Sequence, residues 1–557
     1  MTKDLHIAVD FNDDLSESGR YFKEADFDAM LDYAASLGAK RMEWIVDMVW
    51  SHYDMYPGGI DVLKYVTDGA HKRGMELYAV IKPFEGCLNS AVPHTMPAPK
   101  GMSIPDIRGI LFQARPFVAE HPEMRLKRIP GNWNPPGAIK AINLVKEGDE
   151  PTRIKPEHLT LLTSATTCGF KPYTGPIEFS ESCQWRDLFP RYKNCRIITL
   201  GGLNIPEDQR YFVIRCSLAD EQGDFTNELA KMVELVGENG EVIPSTISNG
   251  PVDPQHNTLR GLTDPFNAQR TRYGHLPEVQ EALKDTKRID EMCSDLFGFE
   301  GILMVPIEVK PHTLDGVGYV AVARGKAEYL AGALHPAYPE VRQHWLEMTQ
   351  YCIDRGVDGI DYRTANHTIS SELWAYGFNE PVLDAGSNYV DQDAIAKRNG
   401  DAYTQFLAEA RDLLHANGRK ITIHLHESLI AFNERGVTPR VPVVWDWQWE
   451  KWVQEIADDV VYRGVFHVRP WTNRRVVDRL SAVAAEAGKP FIYQCMRIQL
   501  LYDPPHPCIE REMAYVLDHP RIDAYQLYET AYIMRMGDDG VLRGSPHVAK
   551  LVKEHWK

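Results

Sequence analysis

The chain has 557 residues, and 61 Lys and Arg against 78 Asp and Glu give a formal net charge of −17. A surface of that sign repels phosphate backbones and anionic headgroups, which argues against nucleic acid or a membrane surface as a general partner. With 44% hydrophobic and 25% charged residues the composition is that of a globular protein with a large core, and no window approaches the roughly 18 apolar residues of a membrane span.

The first ninety residues alternate two periodicities. LHIAVDF reads as a strand, EADFDAMLDYAASLGA as an amphipathic helix, RMEWIVDMV as a strand, GIDVLKYVTDGAHKRG as a helix and MELYAVIKPF as a strand. Both helices stop at a glycine, Gly38 and Gly74, just before the next strand. This βαβαβ order predicts a parallel sheet with right-handed crossovers. After Glu85 the pattern fails for more than two hundred residues. Pro-rich and Gly-rich stretches lead into short β-like runs, HLTLLTSA, CRIITLGGL and RYFVIRCSLA, and then into a helical piece, LPEVQEALKDTKRIDEMCSDLF.

From about residue 335 the alternation returns and supplies five more helix-strand units, ending in the strands VDGIDYR, ITIHLHE, DDVVYRGVFHVR, KPFIYQCMR and IDAYQLYE. The fourth helix is expected over DAYTQFLAEARDLLHANG, from Asp401. Three strands before the interruption and five after it predict a (β/α)8 TIM barrel with a large insertion after strand three that contains a β-sandwich-like domain. The expected division is 1–136 for strands one to three and the start of the insertion, 137–260 for the inserted β-domain, and 261–557 for a helical cap and strands four to eight. No GxGxxG turn follows strand one, which disfavours a nucleotide-binding open sheet.

The nine cysteines are scattered from Cys87 to Cys508 without a CxxC pair, so neither a zinc site nor a disulfide framework is expected. Reduced apolar fillers are the simpler expectation, with a Cys183–Cys195 bridge across two inserted strands as the alternative. MTKDLHIAVDF shows no export signal, so cytoplasmic residence is expected.

In a (β/α)8 barrel the chemistry sits at the carboxyl ends of the strands. Strand one offers Asp10, strand two Asp47, strand three Lys82, and strand four Asp361 and Arg363 followed by His367. Strand five ends in His424, His426 and Glu427, strand six leads to Arg469 and then Trp471, strand seven to Arg497, and strand eight to Tyr528 and Glu529. Asp361 and Arg363, two apart, share one strand face and point to the barrel axis if Ile360 and Tyr362 face the helices.

Asp361, Glu427 and Glu529 bring three carboxylates to one rim, and a pair of carboxylates flanking a bond is what glycosidic cleavage requires. Within WDWQWEKW, Trp445, Trp449 and Trp452 have helical spacing and are expected in the core, which leaves Trp447 and Trp471 as flat platforms for a sugar ring. Arginines ending strands four, six and seven (Arg363, Arg469, Arg497) suggest an anionic ligand such as a uronate or sulfated sugar. The string HLHE with a distant aspartate could instead hold a metal ion through His424, His426, Glu427 and Asp361.

HPAYPEVRQHWLEMTQYCIDRGVDGIDYR resembles the helix and fourth strand of glycosyl-hydrolase-like (β/α)8 proteins of the glycosyl-hydrolase-like-10 group, related in shape to the α-amylase superfamily. DWQWEKWVQEIADDVVYRG is similar to that group's segment before strand six, and FVAEHPEMRLKR resembles the loop before its insertion. The resemblance implies a barrel acting on a glycan, with acidic residues at the ends of strand four and later strands. Relatives carry DGI followed by an aspartate two residues after a hydrophobic one, where this sequence has Arg363, and Asp361 is the nearest substitute.

The leading expectation is a glycoside hydrolase without a cofactor, using Asp361, Glu427 and Glu529 on an oligosaccharide or glycoside, with Asp10, Asp47, Lys82, Arg363, His367, His424, His426, Trp447, Arg469, Trp471, Arg497 and Tyr528 binding the sugar. Two alternatives share the barrel: a metal-dependent sugar isomerase, epimerase or lyase, and a carbohydrate-binding protein that cleaves nothing.

Overall fold

The structure, a computed structural model, describes residues 3–11, 14, 21–46, 56, 59–84, 87–88, 113–114, 116–130, 136–147, 149–165, 171–188, 191–216, 232–243, 245–247, 318–325, 328–364, 376–384, 391–426, 445–463, 474–495, 508–537 and 539–556. Eight parallel strands close into a barrel: β1 (Asp4–Val9), β2 (Arg41–Ile45), β3 (Glu76–Ile81), β4 (Gly359–Arg363), β5 (Lys420–His426), β6 (Asp459–Arg463), β7 (Phe491–Cys495) and β8 (Ala524–Tyr528), with β8 pairing back onto β1. Helices α1 (Glu24–Ser36), α2 (Val62–Lys72), α3 (Pro339–Asp354), α4 (Gln392–Ala416), α5 (Arg474–Glu486), α6 (Cys508–Asp518) and α7 (Pro546–His555) flank the strands. The (β/α)8 barrel predicted from the alternation is therefore present, and so is the antiparallel insertion after β3.

The predicted helix stops are real. Gly38 and Gly74 adopt φ of +82° and +72°, values that cost a side chain-bearing residue energy and a glycine little. The turn lets the amide of Ala39 reach the carbonyl of Ala34, and that of Met75 reach Ala70, which satisfies carbonyls left open at the helix end.

The chain divides by contact into two units, one of residues 1–85, 287–303 and 334–557, which holds the barrel, and one of residues 86–286 and 304–333. The second contains two antiparallel five-stranded sheets. Its longest pairing joins Glu178–Leu188 to Arg191–Gly201. Strand Gly318–Arg324 pairs with Tyr211–Cys216, so the antiparallel region draws on sequence beyond residue 260, the expected end of the inserted domain. The expected helical piece at 276–297 lies outside the described residues. Cys183 and Cys195 form no bridge with each other, for a geometric reason: Cys183 pairs with Arg196 and Cys195 with Gln184, so the two thiols leave opposite faces of the hairpin.

Helix α4 starts nine residues earlier than its predicted beginning at Asp401. The Asp391 carboxylate caps it by accepting from the Ala394 amide at 3.1 Å. Asn399 and Gly400, just before the predicted start, are helical, and both are held by what lies against them. Asn399 donates to the Gly377 carbonyl and contacts His335, and a methyl on Gly400 would run into the Asp446 carbonyl, itself held by the Asp446 amide bonding Ala396 at 2.9 Å.

Gly400→Ala sets helix propensity, which favours alanine by about 1 kcal/mol, against overpacking at a pinned backbone, typically about 1–3 kcal/mol. The contact should win. The variant is expected to unfold at a lower temperature than the parent, as read by circular dichroism, and a higher midpoint would show that the Asp446 segment yields.

Candidate active site

Side chains alternate along each barrel strand between the helices and the axis. In β2, Trp44 packs outward on Phe11 and Phe27, while Arg41 and Glu43 turn inward. In β4, the Tyr362 hydroxyl meets Thr349 of α3 at 2.5 Å, so Asp361 and Arg363 face the axis, as their spacing predicts. The axis is apolar on one side, where Val461, Ile492 and Ala524 form a cluster, and densely charged elsewhere.

Arg41 anchors the amino-terminal end of the axis. Its guanidinium lies 2.9 Å from Asp459, 3.1 Å from Glu76 and 3.9 Å from Glu43, and stacks 3.7 Å above the Tyr78 ring. Asp459 also accepts from the Thr422 hydroxyl at 2.5 Å. This end of the barrel holds its charges in direct pairs.

In the middle, His424 Nδ1 and Asp361 Oδ2 lie 2.8 Å apart and both residues are shut off from solvent. Burial pushes the Asp361 carboxyl up to about 7, and the Asp459 charge adds to the shift, while contact with Glu43 and the charges of Arg363 and Arg41 oppose it. Burial also pushes His424 down to about 3, helped by Arg363 and Lys82 and opposed by Glu43 and Gln494. Both shifts run toward the neutral forms, which favours a hydrogen bond between neutral groups over an ion pair. Glu43 lies against the same carboxyl, 3.7 Å from His6 Nδ1, and among the described residues neither its oxygens nor Asp361 Oδ1 accept a hydrogen bond.

At the carboxyl ends of the strands, Lys82 Nζ stands 3.7 Å from Asp10 Oδ2. Arg363 Nη1 donates to the Tyr528 hydroxyl at 3.4 Å, joining β4 to β8 across the barrel. Two guanidiniums face the Tyr528 ring, Arg363 at 5.3 Å and Arg463 at 5.0 Å from its centre. Gln494 donates to Gln526 beneath them. Glu529 follows Tyr528 directly, buried, at the start of the short helix Thr530–Ile533.

Of the residues singled out in the sequence, the structure brings together Asp10 with Lys82, Asp361 with His424, and Arg363 with Tyr528. His426 ends β5, paired in register with Arg463. Asp47, His367, Glu427, Arg469, Trp471 and Arg497 lie outside the described residues. Among the described residues no three His, Cys, Asp or Glu side chains converge as a metal's ligands would, and the expected metal set includes Glu427, outside them.

Trp447 does not offer the expected sugar platform. It is 1% exposed, stacked on Trp445 at 5.1 Å and edge-on to Phe84, Tyr403 and Trp452. The helical spacing misleads because the helical turns begin only at Trp449, and in the non-helical segment before it Trp445 and Trp447 stack on each other. The described part of strand six is Asp459–Arg463, and the arginine it delivers is Arg463; the rest of the predicted strand, to Arg469, lies outside the described residues. Inspection of strand ends passes over Arg41, Glu43, Asp459 and Arg463. Their signal is the two-residue spacing of charge inside RMEWI and DVVYR.

No protein-family model matches the chain, and no curated protein matches it. Among solved structures it is similar to the catalytic domain of β-amylase from Paenibacillus polymyxa, at 7% identity over 99% of this chain and 98% of that one, with a TM-score of 0.34. It is also similar to a β-galactosidase from the Antarctic haloarchaeon Halorubrum lacusprofundi (10% identity, 99% and 58% coverage, TM-score 0.32) and to a chitinase from Chromobacterium violaceum (10%, 39% and 72%, 0.25). These likenesses are distant, and the barrel stands on this chain's own strand register.

The neutral pair has a thermodynamic signature. Between about pH 4 and 6.5 the unfolded chain carries this proton on His424, with Asp361 ionised, and the folded chain carries it on the carboxyl, so the pair adds no slope to stability. Asp361→Asn removes the carboxyl and leaves a histidine with a depressed folded value, whose contribution is full above about pH 6.5 and fades as pH falls toward 3. Relative to the parent, the variant's unfolding free energy should rise by about 1.4 kcal/mol per pH unit between about pH 4 and 6.5. Denaturant titrations at several pH values check this, and parallel curves for the two proteins would contradict a neutral pair.

Proposed function

We propose that the protein is a glycoside hydrolase acting on an oligosaccharide or glycoside at the barrel mouth, with Asp361, Glu427 and Glu529 as its working carboxyl groups. The observation that carries the reading is Asp361, a carboxyl on the axis of a (β/α)8 barrel whose burial keeps its proton up to about pH 7. A general acid for glycosidic cleavage must hold a proton at working pH and give it to the departing oxygen. The complementary role, attack on the anomeric carbon or activation of a water, needs a second carboxylate, and Glu529 stands just beyond β8 at the same end of the barrel. Asp10, Lys82, Arg363, His424, His426 and Tyr528 line that end and supply donors and acceptors for sugar hydroxyls. In this reading Asp47, His367, Arg469, Trp471 and Arg497 complete the sugar site. The resemblance of the strand-four and strand-six segments to glycosyl-hydrolase-like proteins supports the same assignment.

The test is product analysis against neutral, uronate-bearing and sulfated oligosaccharides. The parent protein should generate new reducing ends, and Asp361→Asn and Glu529→Gln should each lose roughly a hundredfold or more in rate while still binding the sugar. The parent's rate should fall as pH rises through about 7 and the acid form is lost. Full activity in both variants would contradict the assignment, and unsaturated or isomerised products would replace hydrolysis with lyase or isomerase chemistry.

A further inference from the structure

We infer that the barrel mouth reads an oxyanion on its ligand, a carboxylate or a sulfate carried by the sugar, through the guanidinium of Arg463. The sugar part of this statement rests on the carbohydrate reading above. The anion part rests on Arg463 alone.

Arg463 is the last residue of β6 and is 6% exposed, yet its Nε and Nη1 make no hydrogen bond. Among the described residues no carboxylate oxygen lies within 4.0 Å of it. The same barrel provides its own control. Arg41, at the opposite end of the axis and equally buried, is held by Asp459, Glu76 and Glu43. A buried guanidinium with no anion is costly, and burial of such a charge is ordinarily matched by a partner.

The groups near Arg463 do not cancel its charge. Burial pushes His424 toward its neutral form, and the carboxylates at the same strand ends are Asp10, which stands 3.7 Å from Lys82, and Glu529, neither of which lies within 4.0 Å of Arg463. The Tyr528 ring faces Arg463 at 5.0 Å but also faces Arg363 at 5.3 Å, so one quadrupole is divided between two guanidiniums. The planar Arg463 guanidinium suits the flat or tetrahedral oxygens of a carboxylate or sulfate, which arginine binds through its N–H donors.

The experiment compares the parent with Arg463→Met, which keeps length and removes charge. Methyl glucuronide, glucose 6-sulfate, methyl glucoside and sodium sulfate are titrated at fixed ionic strength, with calorimetry and thermal unfolding as readouts. One or both charged sugars should bind the parent at least tenfold more tightly than methyl glucoside and raise its Tm, and the tighter one identifies the anion. Arg463→Met should lose that discrimination, and its ligand-free form should unfold no lower than the parent because an unmatched buried charge has gone. Equal binding of charged and neutral sugars, no binding of any probe, or unaltered discrimination in the variant would overturn the inference. A ligand-free variant that unfolds well below the parent would make Arg463 a structural group and overturn it too. Sodium sulfate binding as tightly as either charged sugar would overturn the sugar part. No step here requires a bond to be cleaved, so a protein that selects charged sugars but hydrolyses none would sink the hydrolase reading alone.

Discussion

Charge placed on the axis of a closed barrel has no water to solvate it, so each group must find an opposite charge, give up its own, or wait for a ligand. This chain does all three along one axis. Arg41 is matched by three carboxylates at the amino-terminal end. In the middle, Asp361 and His424 are pushed by burial toward their neutral forms and meet through a hydrogen bond. At the carboxyl end, Arg463 is left with the face of Tyr528. The chemistry proposed for the mouth follows from that gradient: a proton retained on Asp361 near neutral pH and a cation unmatched above it.

The strands that deliver these groups come from two distant stretches of sequence. β1 to β3 precede the insertion and bring Arg41, Glu43 and Lys82, while β4 to β8 follow it and bring Asp361, His424, Arg463 and Tyr528. The Glu43 contact with Asp361 and the pairing of Arg41 with Asp459 therefore tie the two halves together at the axis as well as through the β3–β4 and β8–β1 ladders. The polar interior thus both closes the barrel and sets the electrostatics of the candidate site.

The barrel was legible in the sequence because its signals are local: the 3.6 and 2.0 periodicities, and glycines at the helix ends whose left-handed conformation no other residue adopts as cheaply. What was not legible depends on tertiary neighbours. Helix α4 reads as starting at Asp401 until the Asp446 carbonyl is seen against Gly400. Trp447 looks like the tryptophan that helical spacing leaves outside, but the segment is not helical at that point and packs it against Trp445. In the site, strand ends alone point to Asp361, Arg363, His424 and Tyr528. Glu43 and Asp459 sit within strands, where burial of a carboxylate is visible only as alternating charge and its effect on Asp361 only in three dimensions.

The central claim is that Asp361 keeps its proton near neutral pH beside a neutral histidine. Infrared difference spectra between the parent and Asp361→Asn, recorded across pH with isotope-labelled aspartate, measure that proton directly. The account predicts a protonated carboxyl band from Asp361 that disappears near pH 7. A band already lost near pH 4, as for an aspartate paired with a charged histidine, would contradict it.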